Sequence, residues 1–308
     1  LFVPGVGEAK LVPGTRENPD EGYRSRYSHD KEWASPNYYA VELEDYGVKA
    51  EMTAGLRSGM LRFTYPESDK AFVMIDMNHT LWQHCEWANV RLLNDSTLTG
   101  YKLVKGWGPE RHIYFTATFS KRPDSIRIYQ EGKPVIYNTS RFRSNREAWG
   151  KNLMVVVSYQ TAEKEQICVK TAISAVSTDG ASGNIKELDN LSFDALHQKG
   201  VALWQEELSR YKVTGSDQLK ETFYTSAYHA ALHPFLFQDA DGRYRGLDKN
   251  IEKAEGFTNY TTLSLWDTYR AYHPWLNLVH QELNANIANS MLAHYNKSVE
   301  KMLPIWSF

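Results

Sequence analysis

The stretch His112-Ile113-Tyr114-Phe115-Thr116-Ala117-Thr118-Phe119-Ser120 decides the fold of the first half of this chain. Every second residue from Ile113 to Phe119 is apolar, whereas the residues between them carry polar groups. A period of two places alternate side chains on opposite faces of an extended strand. The stretch therefore predicts a β-strand with one buried face.

The same spacing recurs on both sides, in short runs separated by turn-forming segments such as Glu44-Asp45-Tyr46-Gly47. Such spacing is typical of antiparallel strands joined by hairpins. The further predicted strands are Tyr39–Leu43, Val48–Thr53, Met60–Tyr65, Phe72–Met77, Ser125–Tyr129, Pro134–Tyr137, Leu153–Tyr159 and Ile167–Ser174. Strands without intervening helices predict a β-sandwich domain over residues 1–180.

Beyond Gly180 the apolar residues recur at steps of three and four, which indicates helices. Ala181–Asn184 is interpreted as a loop, Ser192 is placed to cap a helix, and Gly215-Ser216-Asp217 begins another helical segment. Two further helices are predicted at about Tyr260–Glu282 and Asn284–Met302. The chain therefore predicts a linker helix region over residues 181–214 and an all-α domain over residues 215–308.

Composition and charge exclude several classes of function. A net charge of -2 and a pI of about 6.6 give no basic footprint for nucleic acid, and the densest basic stretch is only Arg141–Arg146. No apolar run is long enough to span a membrane. Cys85 and Cys168 have no metal or redox spacing, and whether they pair stays open. Aromatic residues make up 13% of the chain, which suits either a sugar platform or a core.

The segment from Asp239 to Asp248 concentrates carboxylates, arginines and glycines. Its Asp-x-Asp-Gly start resembles a calcium loop, but the glutamate that such a loop needs is missing. The interpretation that we favour is a β-hairpin or turn built on Asp241-Gly242. The functional alternative is a loop whose Arg and Asp groups bind sugar hydroxyls.

A sharper signal is Leu265-Trp266-Asp267-Thr268-Tyr269-Arg270-Ala271-Tyr272-His273-Pro274. Asp267 and Arg270 are three residues apart, so on a helix they would share a face, with Trp266 beside them. An indole, a carboxylate and a guanidinium at one helix end suit a sugar pocket. The alternative, a surface ion pair beside a core Trp, fits the spacing equally well. Pro274 suggests a kink or an end in the helix.

No other constellation in the sequence selects a chemistry. His229 and His233 are four apart on a predicted helix, which more often marks a structural pair than a zinc site. There is no glycine-rich phosphate loop and no nucleophile elbow. A glycosidase needs two carboxylates, but the spacing selects no pair among Asp239, Asp241, Asp248, Glu252, Glu255, Asp267 and Glu282.

Several motifs resemble the calcium-dependent exo-α-mannosidases of glycoside hydrolase family 92. Tyr23–Asp30 with Ala34–Tyr39 resembles the family's sandwich, and Asp241–Gly246 with Gly256–Thr261 resembles the segment before its second barrel helix. Ser264–Pro274 resembles the most recognisable motif of the family. The resemblance runs in the same order over nearly the whole chain from about residue 20.

The resemblance implies that the β-sandwich is joined by a linker helix to the first helices of an (α/α)6 barrel. It implies hydrolysis of terminal α-linked mannose, α-1,2-linked above all, from mannosides or N-glycans with inversion at C1. A Ca²⁺ ion would engage two mannose hydroxyls, since hard cations take oxygen ligands. The implied location is periplasmic, secreted or on the cell surface.

Carried over residue by residue, the resemblance makes Trp266 and Asp267 part of the mannose subsite, with Arg270 in support. The family's general acid, base and most calcium ligands belong to motifs that do not occur here, so no catalytic residue is assigned. The chain opens on Leu1 without an initiator Met or a signal-peptide pattern, and it stops just after a helical pattern. We therefore expect it to be an internal piece of the enzyme.

Two other functions stay open at this point. One is a non-catalytic carbohydrate-binding module. The other is a different (α/α)6 enzyme, such as a disaccharide phosphorylase, although no phosphate-binding cluster is evident in the sequence. Cooperative unfolding of this span alone would favour the module, because an incomplete barrel would expose a large apolar face.

Overall fold

The computed structural model describes residues 1–106, 108, 110–136, 146–261 and 263–303. The first half of the chain is built from strands. They are β1 (Phe2–Val6), β2 (Glu32–Ser35), β3 (Tyr38–Leu43), β4 (Val48–Ala54), β5 (Ser58–Tyr65), β6 (Ser68–Asp76), β7 (His84–Leu92), β8 (Thr97–Lys105), β9 (Arg111–Phe119), β10 (Ser125–Gln130), β11 (Lys133–Pro134), β12 (Glu147–Gly150), β13 (Leu153–Thr161) and β14 (Glu165–Ser174).

These strands form two antiparallel sheets within the described residues. One sheet has the order β12-β7-β8-β9-β14-β5-β4-β3-β2, and the other has the order β1-β6-β13-β10-β11. The strand predicted at residues 112–120 is β9, whose Phe115 and Ala117 share one core with Val155 and Val157 of the second sheet. Apolar faces of both sheets are therefore buried against each other, as a sandwich requires.

Sequence periodicity missed β7 and β8 for identifiable reasons. A register shift between Cys85 and Trp87 interrupts the alternation of β7. In β8 the inward position is Gly100, where an added Cβ would lie 2.5 Å from both the Asn89 carbonyl oxygen and the Phe115 ring. In a sequence, a glycine suggests a turn. In this strand it instead occupies a position where neighbouring groups approach too closely for a side chain. The predicted strand at Pro134–Tyr137 survives only as β11, and its end lies outside the described residues.

The prediction of a loop at Ala181–Asn184 is wrong, because helix α1 spans Thr178–Asn184. Two glycines lower its intrinsic helix propensity, and tertiary contacts compensate. The Ser177 side chain caps the helix by accepting from the Gly180 N–H, and Asn184 Nδ2 donates to the Ile173 carbonyl at 2.9 Å. An added Cβ on Gly180 would lie 2.1 Å from Asp239 Oδ2, so this position has no room for a side chain.

The predicted cap at Ser192 and the predicted helix start at Gly215-Ser216-Asp217 are both confirmed. Helix α2 spans Phe193–Leu208 and helix α3 spans Asp217–Ala231, and the Ser192 and Ser216 side chains accept hydrogen bonds from their first turns. Because α3 ends at Ala231, His229 and His233 do not share a helix. His233 instead precedes a cis peptide bond to Pro234.

The helix predicted at Tyr260–Glu282 is wrong as a single element. It consists of strand β18 (Tyr260–Thr261), the four-residue helix α4 (Leu265–Thr268) and helix α5 (Tyr272–Val279). Pro274 has no backbone N–H. It falls in the first turn of α5, where a backbone N–H would have no acceptor within the helix, so the proline costs no helical hydrogen bond. Helix α6 (Gln281–Lys297) follows in place of the predicted Asn284–Met302.

Short strands also interrupt the helical half. β15 (Phe235–Leu236) pairs with β18, and β16 (Arg243–Arg245) pairs with β17 (Ile251–Lys253). The interpretation of Asp241-Gly242 as a turn is confirmed, since the Gly242 N–H donates to the Asp239 carbonyl oxygen at 2.9 Å, but the β16–β17 hairpin turns at residues 246–250 and not on Asp241-Gly242. The described residues form a sheet-rich half followed by helices, while the start of an (α/α)6 barrel and the division at residues 180 and 214 remain predictions. The described residues contain no helix that is long and apolar enough to cross a membrane.

A buried carboxylate anchors α2 to the larger sheet. Glu51 accepts hydrogen bonds from Arg62 Nε at 2.8 Å and from the Tyr38 hydroxyl at 2.7 Å. Arg62 also bonds Asp194 of α2 at 2.8 Å, and its guanidinium carbon lies 4.1 Å from the centre of the Phe193 ring. Burial alone would raise the pKa of Glu51, but the bonds from Arg62 and Tyr38 outweigh burial and lower it to about 2.

This lowered pKa predicts a pH-dependent stability. A folded pKa below the unfolded value of 4.5 stabilises the fold above pH 4.5, and the stabilisation is lost as the pH falls through the folded value near 2. We expect Glu51 to contribute about 3 kcal/mol at pH 7 and about half of that at pH 3. Urea unfolding of wild type and Glu51→Gln at both pH values measures this. An equal difference between the two proteins at pH 7 and pH 3 would contradict the assignment.

Candidate functional site

The sharpest sequence motif forms a short, exposed turn of helix. Trp266 is the second residue of α4 and is 81% exposed. Beside it, the exposed Asp267 accepts a hydrogen bond through Oδ2 from the Ser264 hydroxyl at 2.5 Å. Asp267 Oδ1 has no partner among the described residues. The turn therefore presents a flat apolar ring next to a carboxylate oxygen that can still accept a hydrogen bond.

Arg270 does not complete this pair as expected. Because α4 ends at Thr268, Arg270 lies in the turn before α5, and the prediction that Asp267 and Arg270 share a helical face is wrong. Arg270 Nε donates to the Tyr269 hydroxyl at 2.6 Å, and its guanidinium carbon lies 5.3 Å from the centre of that ring. The substrate-binding roles of Trp266, Asp267 and Arg270 stay predictions.

Sequence reasoning overlooked Ser264. It is only 5% exposed, and its carbonyl oxygen accepts from the backbone N–H groups of Asp267 and Thr268 at 3.1 and 3.2 Å. The signal was present, because Ser264-x-x-Asp267 has the spacing of a capping box. In the structure the two side chains bond each other, so Ser264 orients the carboxylate.

The carboxylates of the Asp239 segment are occupied by structural contacts. Asp239 is 4% exposed and accepts from the Ser174 hydroxyl at 2.7 Å and from Asn184 Nδ2 at 2.8 Å. Asp241 pairs with Arg243 at 2.7 Å. Arg245 donates to the carbonyl oxygens of Ala175, Val176 and Lys249. Asp239 and Arg245 thus dock the hairpin onto the sheet-rich half, and Asp241 is held by a partner within its own segment, which leaves all three poorly placed to bind a sugar.

A cavity of about 700 Å³ lies where the hairpin and α6 meet the ends of β9 and β14. Its walls include His112, Lys249 and His294, but none of the three predicted sugar-binding residues. Burial lowers the pKa of Lys249, with Arg245 adding to the effect, and burial lowers the pKa of His294 to about 4. Burial thus disfavours the positively charged form of both side chains.

The part of the chain that the structure describes contains no group of three or more His, Cys, Asp or Glu side chains that could hold a metal ion. The ligand set for a resident calcium ion is therefore not found among these side chains. Cys85 and Cys168 are free thiols.

Comparison with known proteins identifies both halves of the chain. Residues 1–174 match the model for the glycosyl hydrolase family 92 N-terminal domain, and residues 180–308 match the model for the glycosyl hydrolase family 92 catalytic domain. A search of curated proteins found no match.

Solved structures agree with this assignment. The family GH92 alpha-mannosidase BT3965 from Bacteroides thetaiotaomicron, in complex with mannoimidazole, is 76% identical over 100% of this chain and 40% of its own, with a TM-score of 0.98. The family GH92 inverting mannosidase BT2199 from Bacteroides thetaiotaomicron VPI-5482 is 21% identical over 99% of this chain and 39% of its own. Its TM-score of 0.82 shows a shared fold. The chain spans about 40% of the length of these relatives. With both domain models matched, the chain belongs to glycosyl hydrolase family 92.

Proposed function

We propose that the protein containing this chain removes terminal α-linked mannose from a mannoside or glycan, with α-1,2 linkages as the first candidates. One observation carries the proposal. The exposed Trp266-Asp267 pair occurs in a chain that is 76% identical to an alpha-mannosidase solved with mannoimidazole. Membership of family 92 supports hydrolysis over binding alone.

The geometry of α4 suits recognition of a sugar ring. The Trp266 indole offers a platform for the apolar face of a pyranose, and Asp267 Oδ1 offers an acceptor to a sugar hydroxyl. Arg270 lies two residues beyond the helix and supplies donors at its edge. A surface turn of this kind positions a sugar but does not protonate a leaving group.

Inversion is the stereochemical outcome that we propose. An inverting enzyme requires a general acid and a general base roughly 6.5–9.5 Å apart, with a water molecule between the base and the sugar. We assign neither role to a described residue. Asp239 and Asp241 are held by structural partners, and Glu252 is paired with Lys297 at 3.0 Å.

We further propose that activity requires Ca²⁺ and that the protein acts in the periplasm, at the cell surface or outside the cell. A bound Ca²⁺ would supply a Lewis acid for two sugar hydroxyls. The described His, Cys, Asp and Glu side chains do not gather three candidate ligands, so they do not by themselves form the site that would hold the ion.

Hydrolysis of the methyl α-glycoside of α-1,2-mannobiose by the intact protein, followed by NMR from the first turnovers, tests this function, because the leaving group is then methyl α-mannoside and the free mannose comes only from the terminal residue. We expect the first product signal to be β-mannose, because inversion converts the α-linkage to the β-anomer. The same assay after treatment with a chelator should show at least a tenfold loss of rate, restored by added Ca²⁺.

Four other outcomes of this assay would contradict part of the proposal or favour a different function. Release of α-mannose first would contradict inversion, and full activity in chelator would contradict the calcium requirement. Binding of mannobiose without turnover would favour a carbohydrate-binding module. Cleavage that depends on phosphate and yields a sugar phosphate would favour a phosphorylase.

A further inference from the structure

We propose that His273 is a positioning residue that holds α4, and with it Trp266 and Asp267, in the orientation that receives the sugar. The proposal rests on the proposed function, since it gives Trp266 and Asp267 their role. Its physical content is a chain of hydrogen bonds that runs from α6 through α5 to α4.

The chain begins on α6 and ends at the exposed carboxylate. Asn284 Oδ1 lies 2.8 Å from His273 Nδ1, and His273 Nε2 lies 3.0 Å from the Thr268 hydroxyl. Thr268 is the last residue of α4, and its hydroxyl is 2.9 Å from the Ser264 carbonyl oxygen. Ser264 then donates from its own hydroxyl to Asp267 at 2.5 Å. Among the described residues, His273 thus joins Asn284 of α6 to Thr268 at the end of α4 by hydrogen bonds.

The available protons give these contacts a direction. Asn284 Nδ2 donates to Asn277 Oδ1 at 2.7 Å, which leaves Asn284 Oδ1 facing His273. In neutral His273, Nδ1 therefore carries the hydrogen and Nε2 is an acceptor. The Thr268 hydroxyl has a single proton and two acceptors within reach, the Ser264 carbonyl oxygen at 2.9 Å and His273 Nε2 at 3.0 Å, so it donates to one of them at a time.

Helix α4 needs such an anchor. It has four residues, and a single turn of helix is not stable on its own in water. On its N-terminal side the chain is held by Leu263, which is 3% exposed in a cluster with Leu276 and Ile287. On its C-terminal side Tyr269 and Arg270 are exposed. The Thr268–His273 contact is therefore the anchor that limits rotation of the turn.

Two substitutions at His273 separate its contacts. An Asn side chain can reach Asn284 from the position of Nδ1 but not Thr268, whereas a Gln side chain can reach Thr268 from the position of Nε2. For the intact protein with α-1,2-mannobiose, we expect His273→Asn to raise KM about tenfold with kcat nearly unchanged. Thr268→Val should do the same, His273→Gln should recover most of the loss, and the exposed His29→Asn is the matched control.

The split between KM and kcat identifies positioning. If Trp266 and Asp267 are misplaced, the enzyme binds the ground state and the transition state of the sugar more weakly by the same amount, and KM therefore rises. A merely structural role would reduce the fraction of folded enzyme, which lowers the apparent kcat and leaves KM unchanged. The double variant His273→Asn with Thr268→Val should be no worse than either single variant, because both remove the same contact. Unchanged KM in His273→Asn, or additive losses in the double variant, would overturn the proposal.

A second measurement does not depend on the reaction. In protein labelled with 5-fluorotryptophan, the ¹⁹F resonance of Trp266, assigned with Trp266→Phe, should shift or broaden in His273→Asn and return toward wild type in His273→Gln. An unchanged resonance would overturn the positioning role by itself. If the resonance moves but wild type neither binds nor cleaves mannobiose, the proposed function fails while the positioning of α4 stands.

Discussion

Asp267→Ala in the intact protein is expected to lower kcat/KM for α-1,2-mannobiose about 100-fold and to leave the fold intact. Asp267 is exposed and bonds only the Ser264 hydroxyl in the described structure, so its removal leaves a side chain that water can solvate. A hydrogen bond from a sugar hydroxyl to a charged oxygen contributes about 1.5–3 kcal/mol. Initial rates measure the loss, and circular dichroism with a thermal melt measures the fold.

Asp241→Ala is the matched control for this experiment. Asp241 is also an exposed aspartate in the helical half, but it is paired with Arg243 on the hairpin. We expect its activity to remain within about twofold of wild type, because exposed ion pairs contribute little. Loss of fold in Asp267→Ala would make Asp267 a structural residue, and full activity would remove it from the proposed site.

Asp239→Ala should instead destabilise the protein, by about 3 kcal/mol, and lower Tm by at least about 5 °C. The carboxylate is buried, and its loss leaves the Ser174 hydroxyl and the Asn184 amide without the acceptor that they share. Because Asp239 belongs to the segment before the hairpin, whereas Ser174 ends β14 and Asn184 ends α1, the substitution weakens the junction between the two halves. Differential scanning calorimetry measures the change.

Comparison with Asp241→Ala, two residues along the same turn, isolates the effect of burial. That variant should melt within about 1 °C of wild type, since surface substitutions change stability by about 0.5 kcal/mol or less. Equal melting temperatures for Asp239→Ala and wild type would show that the buried contacts at this junction do not stabilise the fold.

The spacing of residues along the sequence predicted those strands and helices whose side chains are buried or hydrogen-bonded at regular intervals. β9 was evident because one face enters the core between the sheets and the other does not. The start of α2 was evident because Ser192 satisfies a backbone N–H within a few residues, and the start of α3 because Gly215-Ser216-Asp217 precedes a helical spacing of apolar residues. The Trp266-Asp267 pair was singled out by the motif Ser264–Pro274 and by an expected helical face with Arg270, of which the structure keeps the pair but not the face.

Contacts between distant residues decided the rest. Helix α1 forms despite its glycines because Gly180 leaves room for Asp239, which lies far along the chain. Arg270 leaves the face of Asp267 because α4 ends at Thr268, and His273 reaches Thr268 across the turn that separates α4 from α5. The sequence by itself determined the alternating strands, the capped helices and the family motif, which depend on spacing along the chain. Only the tertiary structure decided which carboxylates are buried and which remain free for a sugar, because burial and hydrogen bonding depend on partners brought together by folding.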